Sequence, residues 1–177
     1  MSELLSHSYN LARLGNAGDK VAFAADAAQR ETIAQWSGVS AINRFEVQVE
    51  LRKTGVDRFA LDFILTADVV QACVVTLEPV PAHLERSFGR ELHFDGHIRR
   101  KLPPETGGEV VLVTDLEEGS EEIDSLHYDL AAPVLEEFVL ALEPYPRCPG
   151  VEFEPPTDGI APPESPFAAL KHLKSGL

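Results

Sequence analysis

Alternating apolar and polar residues in the first half of the chain indicate paired strands. Two segments share this two-residue period, and their apolar positions are Phe45, Val47, Val49 and Leu51 in the first and Phe59, Leu61, Phe63 and Leu65 in the second. A two-residue period places every apolar side chain on one face of a strand. Residues 53–57 separate the segments and include Gly55, which permits a tight turn. The sequence therefore predicts an antiparallel hairpin with one buried face.

Shorter apolar segments on either side of the hairpin predict further strands. They lie at residues 20–24, 68–77, 84–94 and 109–114. The segment 68–77 follows the hairpin directly and is expected to form a separate third strand. We expect these strands to extend the hairpin into a larger sheet.

A period of three to four residues predicts a long helix at about residues 129–142. Its apolar stripe consists of Leu130, Val134, Leu135, Phe138, Val139 and Leu142. Such a stripe is typical of a helix that packs one face on a core. Asp129 can accept hydrogen bonds from the first turn, and Pro144 and Pro146 end the helix.

A shorter helix is predicted at about residues 26–36. Asp26 and Gln29 have the spacing of a capping box, and Gly38 follows the last turn. Ile33 and Trp36 are expected to face inward. Trp36, the single tryptophan, is therefore predicted to be a core residue rather than a stacking platform for a nucleic acid base.

The order of these elements predicts an α+β fold with a mainly antiparallel sheet, because strands come first, a long helix comes last and βαβ alternation is absent. Barrel-like closure of the sheet is an open alternative. With 177 residues and 44% apolar content, one domain is expected at residues 1–150. Residues 151–177 are rich in proline and are expected to form an extended tail in which a short terminal helix could form.

Composition argues against a membrane protein and favours a cytoplasmic one. No apolar run reaches the roughly 18 residues of a membrane span, and the first residues lack the pattern of a signal peptide. Cys73 and Cys148 are the two cysteines. A reducing compartment would keep both as thiols, so we do not expect a disulfide.

Acidic charge is concentrated in one third of the chain. The net charge is −14, yet residues 1–104 carry 13 acidic and 12 basic side chains, whereas residues 105–164 carry 16 acidic and one basic. This field attracts cationic proteins and repels nucleic acid phosphates, which disfavours DNA as a partner. Candidates for contact with a basic protein are Glu117, Glu118, Glu121 and Glu122. Acidic loops that merely confer solubility are an equal alternative.

The single basic cluster lies between residues 86 and 101. Its members are Arg86, Arg90, Arg99, Arg100 and Lys101. Grouped cations of this kind make phosphate contacts, and Arg86 and Arg90 share a face if their segment is a strand. The cluster is therefore a candidate RNA-binding surface, although cations also protect the edges of sheets from aggregation.

No catalytic motif is recognisable, so we expect no catalytic residues, no cofactor and no enzymatic activity. The sequence lacks a glycine-rich phosphate loop, a nucleophile elbow and a His-Glu-x-x-His helix. Glu136 and Glu137 are adjacent, so on a helix they would point about 100° apart. That arrangement suits the edge of a solvated face better than an acid–base pair.

A metal site is the chemical alternative. A small metal-binding protein or metal-dependent enzyme would have to use Cys73, Cys148 and a histidine, and His93 and His97 have a workable spacing only if their segment is helical. Neither cysteine has a second cysteine two to four residues away, so we expect no stoichiometric metal.

Two segments of the sequence form a recognisable pair. The first is QACVVTLEP at residues 71–79, and the second runs from Asp129 through the predicted helix to PYPRCPG at residues 144–150. Their order and separation resemble the YceD-like family, the large ribosomal RNA subunit accumulation proteins. The residues at the motif positions are Gln71, Cys73, Thr76, Leu77, Glu78, Pro79, Glu136, Pro144, Pro146, Cys148 and Gly150.

This chain departs from the pattern that the resemblance implies. Many members of the family have two cysteine pairs that could hold a metal, whereas here Thr76 occupies the second position of the first pair, and no cysteine follows Cys148 within three residues. In this respect the chain resembles the divergent branch typical of alphaproteobacteria. The resemblance implies that hydrogen bonds and packing replace any metal.

The resemblance also implies a function. It predicts a non-enzymatic factor that supports accumulation or maturation of 23S rRNA and assembly of the large ribosomal subunit, in a bacterial cytoplasm or a plastid. Two mechanisms are open, namely contact with precursor rRNA and capture of a basic ribosomal protein. The charge distribution favours the protein partner, whereas the family name favours RNA.

Overall fold

A five-stranded sheet with the order β2–β3–β4–β5–β6 forms the body of the computed structural model, which describes residues 4–95 and 120–152. Its strands are β2 Asp19–Ala24, β3 Ala41–Lys53, β4 Arg58–Ala72, β5 Pro79–Phe94 and β6 Ser120–Ile123. A second, two-stranded sheet pairs β1 Ser8–Asn10 with β7 His127–Asp129. The helices are α1 Ala27–Ser37 and α2 Ala131–Ala141, and a short 3₁₀ turn covers Leu11–Arg13.

The pairing of strands confirms the α+β class. β2, β3, β4 and β5 pair antiparallel in sequence order, and β6 joins the edge of β5 in parallel. The predicted hairpin is confirmed as β3 and β4, with Val49 opposite Phe63 and a turn at residues 54–57. β2 and β6 are the two edges and do not pair with each other, so barrel-like closure is wrong.

One face of the sheet carries the core. The buried side chains of β3 and β4 follow the two-residue period that the sequence shows, and they include Phe45, Val47, Val49, Leu51, Phe59, Leu61, Phe63 and Leu65. The period continues without a break through Ala67, Val69 and Gln71. The separate third strand predicted at residues 68–77 is therefore wrong, because β4 runs on to Ala72 and the chain then turns at residues 73–78.

The structure confirms the capping box of the shorter helix and corrects one residue that was predicted to face inward. Asp26 and Gln29 form the reciprocal capping box, and Gly38 ends α1 with φ +75°. Ile33 is buried as expected, but Trp36 is 50% exposed. Ile33 and Ala34 define the buried face, and Trp36 lies about 110° around the helix from the midpoint between them.

The longer helix α2 covers the core face of the sheet. Phe138 is fully buried and contacts the ring of Phe45 edge-on, with ring centroids 5.2 Å apart. Val139, predicted to lie in the apolar stripe, is 41% exposed, so the stripe is narrower than expected. Asp129 Oδ1 accepts hydrogen bonds from the backbone N–H groups of Ala131 and His7, which joins the helix start to the N-terminal segment.

Several sequence predictions fall on residues 96–119 and 153–177, outside the described residues. They include the strand at 109–114 and the proline-rich tail, and the domain boundary at residue 150 stays a prediction. Within the described ranges, no helix has both the length and the apolar character needed to cross a membrane.

Candidate functional site

The end of β4 leads into a closed turn at residues 73–78, which we call the cysteine turn. The backbone N–H of Cys73 donates to the carbonyl of Glu78 at 2.8 Å, and the N–H of Leu77 donates to the carbonyl of Cys73 at 2.9 Å. Leu77 has φ +61°, a conformation that costs a leucine about 1–2 kcal/mol. The turn therefore holds a strained, exposed leucine in place through its own backbone bonds.

The segment after α2 packs against the cysteine turn. Val74 N–H donates to the carbonyl of Pro146 at 2.8 Å, and the buried side chain of Gln71 donates through Nε2 to the carbonyl of Glu143 at 2.9 Å. The backbone N–H of Cys148 donates to the sulfur of Cys73 at 3.3 Å. The structure thus brings together the two motif segments that are about 70 residues apart in sequence.

Hydrogen-bond donors surround the sulfur of Cys73, which is fully buried. The backbone N–H of Cys148 donates to it at 3.3 Å, and the Thr76 hydroxyl, which donates to Glu78 Oε2, lies 3.8 Å from the Cys148 sulfur. Hydrogen bonding from Thr76 and from the backbone of Cys148 and Val75 favours the thiolate and lowers the pKa of Cys73 to about 6. The half-buried Cys148 differs, because burial raises the pKa of its thiol and its contact with the Cys73 sulfur raises it further.

No histidine among residues 4–95 and 120–152 joins this pair. His83 Nδ1 lies 2.5 Å from Asp68 Oδ1 on the opposite face of the sheet, and His93 lies opposite Arg58 at the far end of β5. The described residues contain no group of three or more His, Cys, Asp or Glu side chains that could hold a metal. His97 lies outside them, so the ligand set of the metal alternative is not brought together in the described part.

Arg86 and Arg90 lie on one face of β5, as the strand prediction implied. Arg86 pairs with Leu65 and Arg90 pairs with Leu61, and both leucines are buried. The two arginines therefore lie on the same side of the sheet as the core. Arg90 donates to Glu136 Oε2 at 3.3 Å and lies 3.9 Å from Glu137 Oε1. Two carboxylates of α2 thus already neutralise Arg90. Arg99, Arg100 and Lys101 lie outside the described residues.

An acidic face surrounds Arg90, and we define it by Glu121, Glu136 and Glu137. Glu121 lies beside Leu92 on the α2 side of the sheet, and it accepts a hydrogen bond from the Tyr128 hydroxyl at 3.1 Å. Glu121, Tyr128 and Glu136 line a shallow depression of about 160 Å³. Burial raises the pKa of Tyr128, and the charge and hydrogen bond of Glu121 raise it further.

The four acidic candidates do not form one surface. Glu121 and Glu122 are successive residues of β6, so their side chains point to opposite faces, and Glu122 lies beside His93. Glu117 and Glu118 lie outside the described residues. Sequence reasoning had not joined Glu136 and Glu137 to Glu121, nor had it singled out Tyr128. The contact between β5 and α2 joins residues that are far apart along the chain, so no local pattern in the sequence indicates it.

A comparison with protein-family models decides the family. The model described as large ribosomal RNA subunit accumulation protein YceD matches residues 61–174. The chain belongs to the YceD family. Searches of curated proteins and of solved structures found no match.

The YceD match spans both motif segments and confirms the resemblance seen in the sequence. By its description, the family acts in the accumulation of large-subunit ribosomal RNA, which is a ribosome-biogenesis role. The geometry adds a local account of the departure at Thr76. Its hydroxyl donates to Glu78 Oε2 and lies 3.8 Å from the Cys148 sulfur, so a hydroxyl group occupies the position where the resemblance implies a second thiolate.

Proposed function

We propose that this YceD-family chain supports accumulation of large-subunit ribosomal RNA by holding a basic ribosomal protein on its acidic face. In this proposal the chain acts without catalysis and without a cofactor, in the compartment where ribosomes assemble. The family description supports the ribosomal role. The choice of a protein partner rests on the charges of the described surface.

The observation that carries the proposal is the excess of carboxylates around Arg90. Glu136 and Glu137 contact its guanidinium, and Glu121 lines the same depression as Glu136. Three negative charges therefore face one positive charge. Burial raises the pKa of Tyr128, and the charge of Glu121 raises it further, because a nearby carboxylate disfavours a second anion. A cationic side chain from a partner would complete the neutralisation.

The same contacts weaken the case for direct RNA binding through this face. A phosphate would have to displace Glu136 and Glu137 from Arg90 and would then lie beside Glu121. Arg86 is exposed and no described residue pairs with it, but one cation supplies only one phosphate contact. Contact with precursor rRNA through Arg86, Arg99, Arg100 and Lys101 is the competing mechanism, and the experiment includes it.

The test removes the charge of the acidic face. The acidic-face variant changes Glu121, Glu136 and Glu137 to Gln, which keeps side-chain size. A matched control changes Glu31, Glu85 and Glu152 to Gln. These three glutamates are exposed and do not belong to the acidic face. Each tagged chain is used for capture from lysate at two salt concentrations, with and without ribonuclease. Proteins and RNA are identified in the same eluate.

We expect the unchanged chain and the control to retain basic large-subunit ribosomal proteins after ribonuclease treatment. The acidic-face variant should lose them by at least about tenfold, and higher salt should weaken capture by the unchanged chain. Capture that ribonuclease abolishes, and that depends on Arg99, Arg100 and Lys101 instead, would overturn the protein-partner proposal in favour of RNA.

A further inference from the structure

We propose that Cys73 and Cys148 are a reversible dithiol–disulfide pair that low-molecular-weight disulfides of the glutathione class oxidise. The geometry carries this assignment. The N–H of Cys148 donates to the Cys73 sulfur at 3.3 Å, and the Thr76 hydroxyl of the same turn as Cys73 lies 3.8 Å from the Cys148 sulfur, so the two cysteines lie side by side. Both cysteines are free thiols in the described structure.

The two sulfurs are suited to different steps. Cys148 is partly accessible to solvent, so a tripeptide disulfide can reach it, whereas Cys73 is fully buried. A thiolate is the nucleophile in thiol–disulfide exchange. Cys148 is therefore the entry sulfur, and Cys73 is the resolving one.

The exchange balances in three steps. The Cys148 S–H first loses its proton to water. The Cys148 thiolate then attacks one sulfur of the small disulfide, the S–S bond breaks, and the displaced small thiolate takes up a proton from water. In the third step the Cys73 thiolate attacks the Cys148 sulfur and displaces the second small thiolate, which also takes up a proton from water. The protein loses two electrons, and the small disulfide is reduced to two thiols.

The new bond would cross the junction of the two motif segments. It would join the end of β4 to the segment that follows α2, where the Val74–Pro146 and Gln71–Glu143 hydrogen bonds already hold the backbones together. Little backbone movement is needed, since the Cys148 N–H already contacts the Cys73 sulfur. The proposal does not depend on the acidic face, and failure of either one leaves the other unaffected.

The experiment equilibrates the reduced 177-residue chain in glutathione buffers of increasing oxidised fraction. Remaining thiols are quenched with acid and alkylated, and intact mass and peptide maps are recorded under denaturing conditions. We expect the chain to become two hydrogens lighter, to lose both alkylation sites and to form no disulfide between chains. The peptide map should contain a Cys73–Cys148 cross-link, and reduction should restore both thiols.

Variants separate the two sulfurs. Cys73→Ser should accumulate a glutathione adduct on Cys148 because no resolving thiolate is present, whereas Cys148→Ser should stay unmodified because Cys73 is buried. Thr76→Val leaves both sulfurs in place and should slow disulfide formation by several fold, since it removes the hydroxyl that contacts the sulfur of Cys148, the entry residue. Circular dichroism checks that each variant folds.

The peptide map of the unchanged chain decides the proposal even if a variant fails to fold. A stable glutathione adduct on Cys148 with Cys73 still reduced would overturn the proposal. A disulfide-linked dimer would also overturn it. The same holds if the unchanged chain keeps both thiols free in a buffer in which the Cys73→Ser variant forms its glutathione adduct.

Discussion

Replacing Phe138 with Ala should lower the free energy of unfolding by about 4 kcal/mol. Phe138 has no exposed surface, and its ring meets the Phe45 ring at an interplanar angle of 73°. Loss of a buried phenylalanine side chain typically costs about 3–5 kcal/mol, because lost transfer energy and a residual cavity add. The edge-to-face contact contributes about 1 kcal/mol of this.

The position favours the upper half of that range. Phe45 belongs to β3, which is paired on both sides within the sheet, so it cannot move far to fill the cavity. A loss of this size is a large part of the roughly 5–15 kcal/mol that stabilises a domain. The variant should therefore unfold at much lower denaturant concentration while the slope of its transition stays unchanged.

Urea titration followed by circular dichroism measures the change, and Leu140→Ala is the matched control. Leu140 lies on the same helix but is 75% exposed, so its truncation should change the free energy of unfolding by less than about 0.5 kcal/mol. A loss below about 1 kcal/mol for Phe138→Ala, or an equal loss for both variants, would refute the assignment of the buried face of α2.

Two further predictions concern a glycine pair and a thiol. Gly18 and Gly38 both have φ +75°, so replacement of either with Ala should lower the free energy of unfolding. The loss should be about 1 kcal/mol at Gly38 and at least about 2 kcal/mol at Gly18, where the added Cβ would lie 2.8 Å from the Leu51 carbonyl oxygen. Equal urea midpoints for the two variants would contradict this. The pKa of Cys73 falls from 9.0 to about 6 on folding, so the stability that its thiolate contributes is full above pH 9 and disappears as pH falls to about 6. The difference in unfolding free energy between the unchanged chain and Cys73→Ser should shrink over that window, and a difference independent of pH would show that Cys73 folds as a thiol.

The elements that sequence predicted well depend on local signals. The β3–β4 hairpin and the capping box of α1 each lie within a short stretch of chain, where periodicity and turn chemistry act directly. The α+β class came from the order of such elements. The family resemblance paired the two motif segments along the sequence, whereas the hydrogen bonds that join them in space were not predicted.

The predictions that were wrong concern contacts between distant parts of the chain, which sequence periodicity does not indicate. Trp36 was expected to be buried because tryptophan is apolar, but the sheet covers only the side of α1 that carries Ile33 and Ala34. Arg90 resembled a free cation in the sequence, whereas Glu136 and Glu137, more than forty residues away along the chain, neutralise it. Long-range pairs of this kind decide which charges are available for a partner.

The surroundings of Cys73 provide hydrogen bonds at the position where the resemblance implies a metal site. A buried thiolate needs a positive charge or hydrogen-bond donors around it, and a bound metal supplies the positive charge. Here the backbone N–H of Cys148 donates to the sulfur, and hydrogen bonding from Thr76, Cys148 and Val75 lowers the pKa of Cys73. A metal-bound thiolate has its lone pairs engaged, whereas a hydrogen-bonded one keeps its nucleophilic character. Replacement of the second cysteine by threonine therefore leaves a charged sulfur beside the half-buried Cys148 thiol, which is the arrangement that exchange with a small disulfide requires.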